Sequence, residues 1–286
     1  MDRDLPLQST NNSSEKKVTV IQPTPSWSLV NLAELWSYRE LVSVMIIRDL
    51  KVRYKQTVMG VAWAVLQPLT MILIFTLIFG KLAKIPSDGY PYPVFVFSGL
   101  LAWNFFSSAI GTSGVSLIGA SNLVSKVYFP RIIVPISSIG VSLVDFVISA
   151  ALLLIMMMLY GIPITANILW LPFFMAGLFI LSIGFGSWLA AITVTYRDFR
   201  YVISYLLQIW MYLTPVLYPV SFVPEKWQWL LYLNPLYAWI TGIRASFLNQ
   251  PIDLFGTFIS LSFSILIFAA GMFYFEKTQR RFADII

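Results

Sequence analysis

The chain has 286 residues, 58% of them hydrophobic and 16% aromatic against 11% charged, with a net charge of +6. That apolar surface exceeds what a soluble core can hide, so the chain reads as an all-α, polytopic membrane protein. The absence of cysteine and histidine excludes disulfides, thiolate nucleophiles, imidazole bases and Cys/His metal sites.

Residues 1–28 are polar, rich in Asn, Ser, Pro and Lys, and read as a flexible cytoplasmic tail without a signal peptide. Residues 29–58 hold an amphipathic interface helix. Arg48, Lys51 and Lys55 share one helical face, with Leu41, Met45 and Val52 beside them. Asp49 and Arg53 stand four apart with the acid first, an order that predicts a helix-surface pair worth about 0.3 kcal/mol. The segment serves either as a positive-inside anchor for the first span or as a docking surface.

Six apolar stretches, at 61–79, 94–112, 132–160, 169–193, 201–219 and 254–275, are long enough to cross a hydrocarbon layer of about 30 Å. The third must tilt or project, and the fifth is bounded by prolines and can end early. With the N-terminus inside, fifteen of the nineteen lysines and arginines fall on the cytoplasmic side, so both termini are expected there. The cations gather at the ends of apolar runs rather than among aromatics on a polar face, which favours membrane orientation over nucleic acid. Asp145 is the one acid inside the spans; it reads as a hydrogen-bonding hub between helices or as a relay group. No inverted repeat is visible, which weakens an ion-coupled carrier.

In the second cytoplasmic loop, Ser121 or Asn122 is expected to cap a short helix that Pro130 stops. That leaves Leu123, Val124, Val127 and Tyr128 as an exposed apolar knob, suited to a partner's groove or to a turn against the membrane surface. Tyr201, Tyr205, Gln208 and Tyr212 share one face of the fifth span, and Trp63, Gln67 and Thr70 share one face of the first. Polar groups facing lipid would cost about 1 kcal/mol or more each, so both stripes suit either a wet path or helix packing. Flat rings alternating with hydrogen-bonding groups are what a passing sugar polymer needs. The loop from Thr214 to Arg244 is apolar, aromatic and punctuated by proline, which predicts short helices dipping back into the membrane. No Gly-x-x-x-x-Gly-Lys-Ser/Thr phosphate loop occurs, so any ATP hydrolysis belongs to another subunit.

Five motifs fall in order along this chain: Arg48-Asp49-Leu50-Lys51-Val52-Arg53-Tyr54-Lys55 with Gly60, Trp63 and Pro68; Asn122-Leu123-Val124 with Lys126, Phe129-Pro130-Arg131 and Pro135; Tyr196-Arg197-Asp198; Pro215-Val216-Leu217-Tyr218-Pro219; and Asn234-Pro235-Leu236 with Arg244. Over residues 31–286 the chain resembles the membrane subunit of a type-2 ABC exporter, of the group that moves lipid-linked polysaccharides such as O-antigen, capsule or teichoic acid. The resemblance implies a transmembrane domain at 59–278, a cytoplasmic C-terminus at 279–286, and a homodimer in the bacterial inner membrane above two copies of a separate ATPase. That partner would hold ATP and Mg; this chain would hold no cofactor, metal or catalytic residue and would bind membrane lipids and a lipid-linked glycan, not nucleic acid.

By the same resemblance, Arg48, Asp49, Lys51, Arg53, Tyr54 and Lys55 form the interface helix, and Asn122, Leu123, Val124, Lys126, Tyr128, Phe129, Pro130 and Arg131 couple to the ATPase. Trp63, Gln67, Thr70, Tyr201, Tyr205, Gln208 and Tyr212 border the translocation path. Pro215, Tyr218, Pro219, Trp227, Asn234, Pro235 and Arg244 form the outer gate. The alternatives are a type-2 exporter of a drug or small lipid, and a membrane enzyme acting on polyprenyl-linked sugars, for which paired acids are missing.

Overall fold

A computed structural model describes residues 32–55, 62–280 and Phe282. The expected tail at 1–28, Gly60 and most of the segment 279–286 lie outside the described residues. Every regular element among the described residues is helical. A short α1 (Leu32–Ser37) leads into α2 (Arg39–Lys55), and α3 (Ala62–Phe75) runs on through a wide π turn at Thr76–Leu82. The π register shows in the Ala83 amide, which reaches back five residues to the Ile78 carbonyl at 2.8 Å. There follow α4 (Tyr92–Gly119), α5 (Ser121–Lys126), α6 (Ile133–Leu159), α7 (Leu171–Thr195), α8 (Phe199–Leu213), α9 (Glu225–Gln228), α10 (Tyr237–Leu248) and α11 (Leu254–Gln279).

Five of these helical runs are long and apolar enough to cross a membrane. The fifth expected span, α8, is the exception: its 15 residues rise only about 22 Å. Its chain turns at Thr214, where the backbone becomes extended, ahead of Pro215. Pro215 cannot donate the next helical hydrogen bond, and it biases the residue before it away from the helical region.

The central helix is α4. Of its most apolar window 78% is buried, against 28% for α6 and for α11, and it packs chiefly on α6 and α7. Its first half is apolar nearly all round, as a buried helix requires, and its polar residues gather from Asn104 onward. On the far side α7 and α11 meet backbone to backbone: a Cβ placed on Gly184 would lie 2.7 Å from the Phe268 Cα, and one on Gly271 would overlap the Gly184 carbonyl. Small residues at the crossing allow this approach, the usual means of joining helices where no water drives them together.

A second apolar cluster ties one end of the helix bundle together: Met45 of α2, Leu117 of α4, Phe129, Ile133 of α6, Val194 of α7, Phe275 of α11 and Phe282. The loops at 83–91, 160–170 and 214–253 gather at the opposite end, where the Tyr90 hydroxyl donates to the Leu248 carbonyl, Ser221 to Asp88 at 2.7 Å, and Asn167 to the Gln250 carbonyl at 3.3 Å.

Candidate functional site

Helix α2, where an interface helix is expected, is fastened to α6. Met45 is buried, Ile46 fills the space above Gly140, and Arg53 Nη1 meets Asp145 Oδ2 at 2.6 Å. The Tyr54 hydroxyl donates to the other carboxylate oxygen. Asp145 is thus a hydrogen-bonding hub, and its ligands come from α2. The expected Asp49–Arg53 pair does not form; Asp49 pairs with Arg48 at 2.7 Å instead. The physical reason is one of magnitudes: a surface pair contributes a few tenths of a kcal/mol, whereas a carboxylate inside a span is costly until a cation reaches it. Arg48 is therefore engaged, and Lys51 and Lys55 stay exposed on the outer face of α2. Burial, then the hydrogen bond to Asp145 and its charge, push the Tyr54 phenol up to about 12.

The coupling segment differs from expectation in which side chains it shows. Neither Ser121 nor Asn122 caps α5; Ala120 stands at the cap position and offers no side-chain hydrogen bond. One turn of helix carries Val124 inward, and Phe129 is only 6% exposed. The protruding side chains are Asn122, Lys126, Val127 and Tyr128, the last 77% exposed, with Leu123 partly covered. Pro130 lies just before α6, and Arg131 donates to the Gln279 carbonyl at the end of α11. Val124, Phe129 and Arg131 therefore hold the segment in place while Lys126, Val127 and Tyr128 face outward.

Both stripes lie on open faces of the protomer. Tyr201, Tyr205 and Tyr212 are 67%, 64% and 54% exposed, and Gln208 is exposed between them. The Arg200 guanidinium lies 4.6 Å from the centre of the Tyr201 ring, a contact that adds charge to the N-terminal end of the row. On α3, Trp63, Gln67 and Thr70 are exposed as well, and the Thr70 hydroxyl is spent on the Leu66 carbonyl at 2.8 Å. Both α3 and α8 lean on α4.

Trp63 and Gln67 also line a cavity of about 510 Å³ with Arg53, Tyr54, Asn104, Ser107, Ser108, Asp145 and Ser149. Sequence reasoning did not single out Asn104, Ser107, Ser108 or Ser149; the signal available was a run of hydrogen-bonding residues inside otherwise apolar spans.

At the end of the bundle opposite Phe129, α10 is buried along most of its length among α4, α7 and α11. Its Trp239 donates to Ser264 at 2.9 Å. Asn234 joins three elements: it accepts from Trp210 of α8 at 3.0 Å, donates to Thr214 at 2.8 Å, and accepts from the Leu236 amide at the start of α10 at 3.0 Å. Arg244 is 2% exposed, donates to the Val216 carbonyl at 2.6 Å, and stacks 4.1 Å from the centre of the Phe95 ring. Gly99 makes room for that contact, since a Cβ there would lie 2.6 Å from the Val216 carbonyl. Pro215 and Pro219 are buried around this point, Pro235 is half-buried, and the Tyr218 hydroxyl reaches the Tyr212 carbonyl at 3.3 Å. Trp227 stands apart at the rim, half-exposed.

The profile of the ABC-2 type transporter family matches residues 40–248, which takes in α2, the coupling segment, both stripes and the outer helices. The chain belongs to the ABC-2 type transporter family. This ABC-2 chain is 31% identical over 256 residues to the O-antigen export system permease protein RfbA of Myxococcus xanthus, covering 88% of this chain and 98% of that protein. It is 28% identical over 250 residues to the O-antigen export system permease protein RfbA of Klebsiella pneumoniae, covering 86% and 95%. It is also 27% identical over 202 residues to the polysialic acid transport protein KpsM of Escherichia coli, covering 68% and 76%. As an ABC-2 permease it is a multi-pass membrane protein, and its sequence carries no phosphate loop of its own.

Proposed function

We propose that the chain is the membrane-spanning subunit of an ATP-driven exporter that carries a lipid-linked, O-antigen-like polysaccharide from the cytoplasm across the inner membrane. The reading is carried by its likeness to O-antigen export permeases along nearly their whole length. Two copies pair so that the stripes on α3 and α8 border a shared path. The open tyrosine faces support this, because rings and amides left on a lipid-facing surface would cost more than they return, while beside a glycan they offer flat faces and exchangeable hydrogen bonds.

Two copies of a separate ATPase sit beneath, with ATP and Mg held there. Both termini are cytoplasmic, in keeping with the lysine and arginine count. Closure of the ATPase dimer pushes on Lys126, Val127 and Tyr128, and the movement reaches the helix bundle as a rigid-body displacement. This chain forms and breaks no covalent bond.

The test is genetic and chemical together. Cells that lack the chain are expected to lose surface polysaccharide and to accumulate lipid-linked glycan inside the membrane, and to recover when the chain is restored. Unchanged surface polysaccharide in the deletion strain would overturn the reading.

A further inference from the structure

We infer that the cavity beside Arg53 and Asp145 is a binding subsite for a neutral saccharide, present once in each copy of the chain. The inference rests on the glycan-export reading and gives it a location inside the protomer, apart from the open tyrosine face of α8.

Size and lining carry the argument. At about 510 Å³ the cavity falls within the range of small-molecule sites, about 300–1,000 Å³. Four elements wall it: the end of α2, α3, α4 and α6. Trp63 supplies a flat apolar face. Among the described residues, the Gln67 and Asn104 amides and the Ser149 hydroxyl make no side-chain hydrogen bond, so their donors and acceptors remain available. Ser108 accepts from Ser142 at 3.0 Å and keeps its own proton to give. An acyl chain would strand these groups without partners.

Charge decides between the two ends of a lipid-linked glycan. Arg53 and Asp145 neutralise each other at 2.6 Å, and the Tyr54 phenol is a neutral donor already committed to Asp145. A pyrophosphate would find no uncompensated cation among the described lining residues, because Arg53 is already held by Asp145. A sugar meets no such penalty: its hydroxyls donate to Asp145, the amides and serines complete their hydrogen bonds, and its ring face lies on Trp63.

The test uses the full-length chain in lipid nanodiscs free of glycoside detergents. Saturation-transfer NMR is run with the free disaccharides chitobiose and mannobiose, and separately with inorganic pyrophosphate. At least one disaccharide is expected to give signal at millimolar concentration, quench tryptophan fluorescence less in Trp63→Phe, and bind at least tenfold more weakly to Ser149→Leu, which fills the cavity from α6. Asn104→Asp, which changes the lining with little change in volume, is expected to shift the affinity without changing thermal stability.

Absence of signal from both disaccharides, signal from pyrophosphate alone, or binding indifferent to Ser149→Leu would each overturn the subsite. The deletion strain reports on glycan export separately. Restored surface polysaccharide with no disaccharide binding removes the subsite and leaves the export reading intact; disaccharide binding in a chain whose loss leaves surface polysaccharide unchanged does the reverse.

Discussion

Arg53 and Asp145 meet at 2.6 Å across ninety-two residues of sequence, and through them α2 grips α6. Removing either charge leaves its partner uncompensated. Arg53→Leu, which strands the half-buried carboxylate, is expected to lower stability by about 1 kcal/mol or somewhat more, and Asp145→Leu, which leaves an exposed guanidinium to water, by about 1 kcal/mol or less. In a double-mutant cycle followed by thermal unfolding, the pair of substitutions should cost less than the sum of the two. Strict additivity would show that the contact contributes nothing.

Tyr54 adds a pH dependence with a definite sign. Its folded pKa is about 12 against an ordinary 10.0, so the fold favours the protonated phenol. The resulting stability is fully present below pH 10 and is lost as the pH rises through 12. Tyr54→Phe, which has no proton to lose, should flatten part of the alkaline decline in melting temperature; an unchanged decline would remove Tyr54 from the account.

On the proposed coupling segment, exposure separates two groups of side chains. Tyr128→Ala and Lys126→Ala are expected to leave melting temperature and assembly unchanged while reducing the export obtained per ATP hydrolysed by the complex. Phe129→Ala opens a hole in the inner apolar cluster and should cost about 3–5 kcal/mol. Loss of stability in Tyr128→Ala, with none in Phe129→Ala, would reverse the assignment.

For the open face of α8, Tyr205→Ala combined with Tyr212→Ala should leave the folded protomer as stable as before and reduce export. Size-exclusion chromatography with light scattering checks whether the dimer survives. A lost dimer would make the stripe a packing surface and not a path.

At the crossing of α7 and α11, Gly271→Val would drive side-chain atoms into the Gly184 backbone. The expected cost is about 1–3 kcal/mol or a displaced helix, read as a fall in thermal stability. Gly111→Ala, where an added Cβ meets nothing within 4 Å, serves as the control on the same scale.

The helical architecture and the approximate places of the spans were legible because bilayer thickness fixes how long an apolar run must be, and the runs around 132–160 and 254–275 satisfy it unaided. Asp145 was legible as a hub because an acid in a span demands a partner. Which partner it takes was not: the choice between Asp49 and Asp145 for Arg53 depends on where α2 lies against α6, a distant relationship that local spacing does not encode. The inward turn of Val124 and Phe129 escaped for a related reason. A helix of six residues is too short for its apolar side chains to show which face finds cover, and Phe129 lies beyond its end. Asn234 and Arg244 stood out as residues, but their joint hold on the turn at Thr214 and Val216 exists only after α10 folds back beside α4.

The short α8 has a consequence for the lipid around it. A helix of about 22 Å beside a hydrocarbon layer of about 30 Å is a hydrophobic mismatch, and the bilayer answers by thinning or the helices by associating. Because polar rings are costly against lipid, association is the answer expected of α8, so its shortness and its tyrosine row both favour burying that face against a second copy.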